Sequence, residues 1–193
     1  MHRSINAWRI ACAIVWTIAV AELAQPARAD EAAAWRALSG GPAIVLFRHA
    51  QAPGGGDPPG FKLGDCATQR NLDEAGRAQA RRIGEAFRAR KIEVGQVLTS
   101  QWCRSAQTAE LAFPGRATPE PAFNSVFNAP EREAPQTAAA RKVLLAWRGP
   151  GALVVTSHHA NIIALTGIAP ASGEGVVIKP SGDGLAIVGR IRP

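Results

Sequence analysis

Apolar positions along the chain follow two rhythms. Ala43–Phe47 (AIVLF) reads as a strand buried on both faces, Val94–Ser100 (VGQVLTS) as a second strand and Ala152–Ser157 (ALVVTS) as a third, buried one. Between them lie helical patterns. NLDEAGRAQARRIGEAFRAR puts Ala80, Ile83 and Phe87 on one stripe, behind Asp73 or Asn71 as N-cap. CRSAQTAELAF predicts a second helix, ended by Pro114 and Gly115. APQTAAARKVLLAWR predicts a third, stopped by Gly149–Gly151, and HANIIALTG a short fourth with Gly167 at its C-cap. GVVIKP and GLAIVGRI are closing strands joined by an SGDG turn. No internal repeat is visible.

Strands alternating with helices predict an α/β fold: a three-layer α/β/α arrangement around a mainly parallel central sheet. In such sheets ligands bind off the carboxyl ends of the strands. Arg48 and His49 follow the first strand, Ser100 to Arg104 the second, and Ser157 and His158 the third. Three separated segments thus deliver polar groups to one edge of one sheet.

The first 29 residues stand outside this rhythm. MHRSINAWR is basic, Ile10–Ala21 carries no charge, and Ala27 and Ala29 flank Arg28 in an A-x-A ending. That is the pattern of a secretory signal peptide; the alternative is an uncleaved anchor, for which the apolar run is short against the roughly 20 residues of a span. The expected organisation is a signal peptide over 1–29, cut after Ala29, and one domain over 30–193, periplasmic or secreted, with no stable membrane span after cleavage.

Composition refines the picture. With 47% hydrophobic and 19% charged residues, the chain is an ordinary globular one. Cleavage removes Arg3, Arg9, Arg28 and Glu22, so the formal net charge falls from +7 to +5. The remaining arginines, Arg77, Arg81, Arg82, Arg88 and Arg90 among them, are strung along a helix as a solvated face. Without tyrosine or a basic stripe interleaved with aromatics, nucleic acid is not an expected partner. Cys12 leaves with the leader; Cys66 and Cys103 remain, an even pair in an exported chain, either one internal disulfide or two free thiols.

Three histidines survive cleavage: His49, His158 and His159. His49 and His158 sit just beyond strands of the same sheet, with Arg48 and Arg104 at or near those ends. Two arginines and two imidazoles suit a dianionic phosphoryl group: guanidinium forks match phosphate oxygens and stay charged, and imidazole is a nucleophile that titrates near neutrality.

These residues fall in motifs. LFRHA, TSQWCRSAQTA and VVTSHHANIIALTG resemble the histidine phosphatase superfamily, of phosphoglycerate-mutase-like fold, with its Arg-His-Gly, Ser-x-x-x-Arg-x-x-x-Thr-Ala and late-His motifs. The matching residues are Arg48 and His49; Ser100, Arg104, Thr108 and Ala109; and His158. NLDEAGRAQA is similar to the family's Leu-Thr-x-x-Gly-x-x-Gln-Ala helix start at Leu72, Gly76, Gln79 and Ala80. The sequence departs at Ala50, where the family most often has Gly, and at Asp73, where it has Thr. Ala50 fits if its φ is negative, and Asp73 still caps a helix.

The resemblance implies a phosphomonoester hydrolase in which His49 forms a phosphohistidine. Arg48, Arg104 and His158 would hold the transferring oxygens, and a carboxylic acid would protonate the leaving group. Glu131 and Glu133, in the segment where the family places that acid, are the candidates, although both precede a helix where carboxylates serve as dipole partners. No cofactor or metal enters this scheme. The expected partner is a phosphorylated small molecule or a phosphoryl-bearing envelope component. A phosphoprotein or phosphohistidine phosphatase is an alternative; so is a non-catalytic phosphate- or metal-binding module using His49, His158, His159 and a glutamate, against which the paired arginines argue. Ser100 reads as a helix-start hydroxyl, His159 as an exposed or satisfied histidine, and Asn161 as either a pocket residue or a helix start. The stretches 51–69 and 124–135 are expected pocket walls; with Phe61, Lys62, Phe123 and Phe127 they point to a substrate with an apolar or anionic extension.

Overall fold

The structure, a computed structural model, describes residues 25–193, with side chains from Asp30 onward. The proposed leader therefore lies outside the described residues up to position 24, with Cys12 in it. Helix α1 (Gln25–Ser39) runs through the expected cleavage point after Ala29. Among the described residues no helix is long and apolar enough to cross a membrane.

Strands β1 (Ile44–Arg48), β2 (Val94–Thr99), β3 (Ala117–Pro119), β4 (Ala152–Ser157), β5 (Gly175–Ser181) and β6 (Gly184–Ile191) form one sheet in the order β3-β2-β4-β1-β5-β6. The first four are mutually parallel; β5 is antiparallel to β1 and β6 to β5. Side chains alternate across the sheet, so an unbroken apolar strand feeds both layers. In β1, Val45 and Phe47 enter a core built with α1, α2 (Glu74–Ala89) and α3 (Cys103–Ala112). Ile44 and Leu46 enter the opposite core, under α4 (Glu133–Ala146) and α5 (His159–Thr166).

Most expected elements form where periodicity puts them. Asp73 is the N-cap of α2, its carboxylate accepting from the Gly76 amide at 2.6 Å, and Ala80, Ile83 and Phe87 are buried. Gly76 has a tertiary reason: a Cβ there would stand 2.0 Å from the Gln51 carbonyl oxygen, so only glycine lets α2 approach the loop that follows His49. Two elements were not expected. Helix α1 buries Ala34, Trp35, Ala37 and Leu38 against the sheet. Strand β3 is a three-residue edge strand ending in Pro119. Residues 51–69 form a loop closed by a 3-10 turn over Cys66–Thr68, and Cys66 is disulfide-bonded to Cys103 at the start of α3. On the chain-entropy account, closing a loop of this length stabilises by about 4 kcal/mol.

Candidate active site

The parallel ladder places the functional residues. The His49 amide donates to the Ser157 carbonyl at 2.9 Å and the Ser100 amide to the Thr156 carbonyl at 2.9 Å, so the residues just past β1, β2 and β4 are held in register at one sheet edge. Arg48, His49, Arg104 and His158 line one cavity of about 230 Å³. The His49 and His158 rings are 5.6 Å apart, centroid to centroid. The four residues expected to converge do so.

His49 is almost fully buried, and its orientation is determined. Nδ1 lies 2.7 Å from the Ala50 carbonyl oxygen, which can only accept. Nδ1 therefore carries the hydrogen, and the neutral ring presents the Nε2 lone pair. Thr108 supports this: its hydroxyl accepts from the Ala50 amide at 3.0 Å and donates to the Arg104 carbonyl at 2.7 Å. The motif threonine thus joins the peptide that aims His49 to the turn that carries Arg104. Ala50 is fully buried and has no positive φ, so the alanine costs nothing in backbone strain. Burial pushes the His49 imidazole down from 6.5 to about 3; the Ala50 hydrogen bond opposes this and the charges of Arg104, Arg48 and Arg70 add to it. At neutral pH the ring is uncharged, as an attacking nitrogen requires.

His158 is almost fully buried, and burial, then Arg104, hold it well below the usual imidazole range. Arg104 Nη2 donates toward Nδ1 at 3.4 Å, leaving Nε2–H to donate to the Ser100 hydroxyl at 2.8 Å. Ser100 also accepts from the Trp102 amide at 3.2 Å, ahead of α3. It is the expected helix-start hydroxyl, and it orients a histidine as well.

The arginines come from three elements. Arg48 Nη1 donates to the Pro170 carbonyl at 3.2 Å, and burial followed by the charge of Arg104 lowers its pKa from the ordinary value. Arg104, 3% exposed, pairs through Nη1 with Asp57 Oδ1 at 2.7 Å. Arg70, from the end of the first loop, lines the cavity and donates to the carbonyls of Ala52 and Gly54 at 2.8 and 2.6 Å. Each of the three keeps a buried Nε–H without a protein partner. Such a donor costs about 1–3 kcal/mol, and three around one cavity suit an oxyanion.

Other expected residues divide. Phe127, 66% exposed, stands at the mouth, and His159 lines it while its Nδ1 meets the Pro170 carbonyl at 3.2 Å. Phe61 stacks on Trp102, whose ring is 5.7 Å from His158. Lys62 is an exposed residue whose backbone receives Thr68 and Gln69. Phe123 is no wall residue: the 3-10 turn Pro121–Phe123 buries it completely in the core beneath α4. Asn161 is a buried brace, donating to the Asn124 carbonyl at 2.7 Å. Glu131 and Glu133 are not brought to the cavity. Glu131 is solvent-exposed 3.9 Å from Arg132, and Glu133 occupies the first turn of α4, where a carboxylate favours the helix dipole. Sequence reasoning missed Arg70 and Asp57, which reach the site only through the folding of the loop. Among the described residues, no cluster of three or more His, Cys, Asp or Glu is placed to hold a metal ion.

Fold and site together define a class: a phosphoglycerate-mutase-like α/β protein whose sheet edge gathers two histidines and three arginines around an oxyanion-sized cavity. The sequence agrees. Residues 44–122, the stretch that holds the Arg48-His49 and Ser100–Ala109 motifs, match the model of the histidine phosphatase superfamily (branch 1). Three solved structures share the fold. The protein histidine phosphatase SixA complexed with tungstate is 18% identical, with 78% of this chain and 97% of that one covered and a TM-score of 0.54. A mycobacterial glucosyl-3-phosphoglycerate phosphatase is 15% identical, with 78% and 96% covered and a TM-score of 0.53. Phosphoserine phosphatase from Entamoeba histolytica, complexed with 3-phosphoglyceric acid, is 11% identical, with 77% and 95% covered and a TM-score of 0.53. No curated protein sequence matches the chain.

Proposed function

We propose that the protein is an exported phosphatase that hydrolyses a phosphomonoester through a phosphohistidine on His49. The observation that carries this reading is the neutral His49 ring, with Nδ1 committed to Ala50 and Nε2 free, inside a cavity ringed by three arginines. The phosphoryl oxygens bind Arg48, Arg104 and Arg70, whose forks neutralise the dianion and the charge that builds in transfer. His158 borders the same space. The Nε2 lone pair attacks phosphorus, an N–P bond forms, and the ester P–O bond breaks with its electron pair on the leaving oxygen. Water then attacks phosphorus, the N–P pair returns to Nε2, and inorganic phosphate leaves. The tungstate complex of SixA shows a tetrahedral oxyanion bound by a protein of this fold. Export is supported by the leader pattern, and a disulfide suits an oxidising compartment. Phe127, exposed at the cavity mouth, favours a leaving group with an apolar portion.

The likeness to SixA favours a second reading, a phosphohistidine or phosphoprotein phosphatase. One experiment separates the possibilities. The protein is incubated with 4-nitrophenyl phosphate, a small alkyl phosphate and a phosphohistidine peptide, each with and without chelator. The account expects chelator-resistant turnover of the two esters, lost by at least about 10⁴-fold in His49→Ala. Turnover confined to the peptide selects the second reading; chelator-sensitive anion binding without turnover of any substrate defeats both.

A further inference from the structure

Asp57 is the only carboxylate, among the described residues, in contact with an arginine of the cavity. Its Oδ1 accepts from Arg104 Nη1 at 2.7 Å and its Oδ2 from Trp102 Nε1 at 3.0 Å. The side chain is 7% exposed. The other acids nearby are committed elsewhere. Asp73 caps α2, Asp65 caps the 3-10 turn over Cys66–Thr68, and Glu120 caps the one over Pro121–Phe123.

The loop that carries Asp57 is held on both sides. Gly54, Gly55 and Gly56, directly before it, line the cavity, with Gly54 and Gly56 at positive φ. Arg70 grips the carbonyls of Ala52 and Gly54, and Cys66 is bonded to Cys103, beside Trp102 and Arg104. The chain thus anchors a nearly dry carboxylate on the same guanidinium that would receive the phosphoryl group. Charge agrees: Arg48, Arg70 and Arg104 outnumber Asp57, so the site is net positive, as anion binding requires.

We propose that Asp57 is the proton donor to the leaving group, which makes it a catalytic residue; this rests on the phosphatase reading above. The proton arrives with the substrate: a phosphomonoester entering as its monoanion passes its proton to Asp57 and is then held as the dianion by the arginines. As the P–O bond breaks, the electron pair stays on the ester oxygen and the Asp57 proton passes to it, releasing the neutral alcohol. The carboxylate then takes a proton from the water that attacks the phosphohistidine, which restores the acid for the next turnover.

The test is leaving-group dependence. The protein, Asp57→Asn and Asp57→Glu are compared on 4-nitrophenyl phosphate, whose phenolate departs without a proton, and on glycerol 1-phosphate, whose alkoxide does not. For Asp57→Asn, kcat/KM on glycerol 1-phosphate falls by about 10²–10³-fold more than the value on the aryl ester, and an unchanged melting temperature reports a folded site. Asp57→Glu keeps alkyl turnover within about tenfold of the parent. Equal loss on both esters in Asp57→Glu, with unchanged thermal melting, would show a role in holding Arg104 only and overturn the proposal. Unchanged or faster turnover of both by Asp57→Asn would overturn it too, since the carboxylate would then only compete with phosphate. A series of aryl phosphates on the parent protein gives a check independent of folding: a weak dependence of rate on leaving-group basicity is expected, and a steep one contradicts proton donation. If the parent hydrolyses neither ester, or His49→Ala hydrolyses both, the phosphatase reading itself has failed.

Discussion

Among the described residues, two places set a buried carboxylate against arginines, and they treat those arginines in opposite ways. Glu174, 1% exposed ahead of β5, is saturated. Its Oε1 accepts from Arg190 Nε at 2.5 Å and Arg192 Nε at 3.0 Å; its Oε2 accepts from Arg190 Nη2 at 2.7 Å and the Ala171 amide at 2.8 Å. Burial pushes this carboxyl up, but the bonds from Arg190 and Ala171 outweigh it and the group lies below its ordinary value. At the cavity, one carboxylate faces three arginines, each with an unpartnered Nε, and burial followed by mutual repulsion depresses the pKa of Arg48 and Arg70. The first arrangement closes a structure. The second keeps donors and positive charge facing an open space, a cost that makes sense where an anion binds.

Substitutions in the two places should therefore separate activity from stability. Arg104→Lys keeps a cation opposite Asp57 but loses the planar fork; kcat on 4-nitrophenyl phosphate should fall by about 10²–10³-fold, with melting temperature changed by only a few degrees. Glu174→Gln should do the reverse. It removes the charge that Arg190 and Arg192 share, lowering unfolding free energy by about 1–3 kcal/mol in a denaturant titration while kcat stays within a few-fold. Loss of stability without loss of activity in Arg104→Lys would erase the distinction.

The smallest effect concerns pH and the two buried histidines. Both are held neutral in the fold, His49 at about 3, against 6.5 when unfolded. The unfolded chain thus binds protons below pH 6.5 that the native one does not, and stability falls as pH drops through that value. Each histidine contributes up to about 1.4 kcal/mol per pH unit. Glu174, whose ordinary value is 4.5 and whose folded value is lower, adds a loss in the same direction only below pH 4.5. Between pH 6.5 and 4.5 the slope belongs mainly to the histidines. Denaturant titrations across that window should show it, and His158→Asn should flatten it; an unchanged slope in that variant would remove the assignment to His158.

What the sequence made legible follows a physical divide. Strands β1 and β4 are buried on both faces and β2 ends in a buried Val-Leu-Thr run, so their limits and the residues just beyond them could be read locally, and with them Arg48, His49, Arg104 and His158. Helix α2 announced itself through Asp73 and the Ala80, Ile83 and Phe87 stripe. Helix α1 is rich in alanine next to a leader-like segment, which blurs its periodicity, and β3 is too short to have any. The loop chemistry was hidden for a different reason. Nothing in GGGDPPG marks Asp57 as an arginine's partner; that contact spans 47 positions and depends on the path of a glycine-rich loop. Glu131 and Glu133 drew attention as carboxylates in the right interval, yet the 3-10 turn Pro130–Arg132 carries Glu131, and the first turn of α4 Glu133, away from the cavity.

The central claim is that His49 carries the phosphoryl group. The most direct measurement quenches the protein in alkali during turnover of a phosphomonoester and maps the phosphorylated residue by mass spectrometry. The account predicts an acid-labile, alkali-stable phosphate on His49, absent from His49→Ala. Phosphate on any other residue, or steady turnover with none trapped on the protein under conditions where the first step outpaces the second, would contradict it.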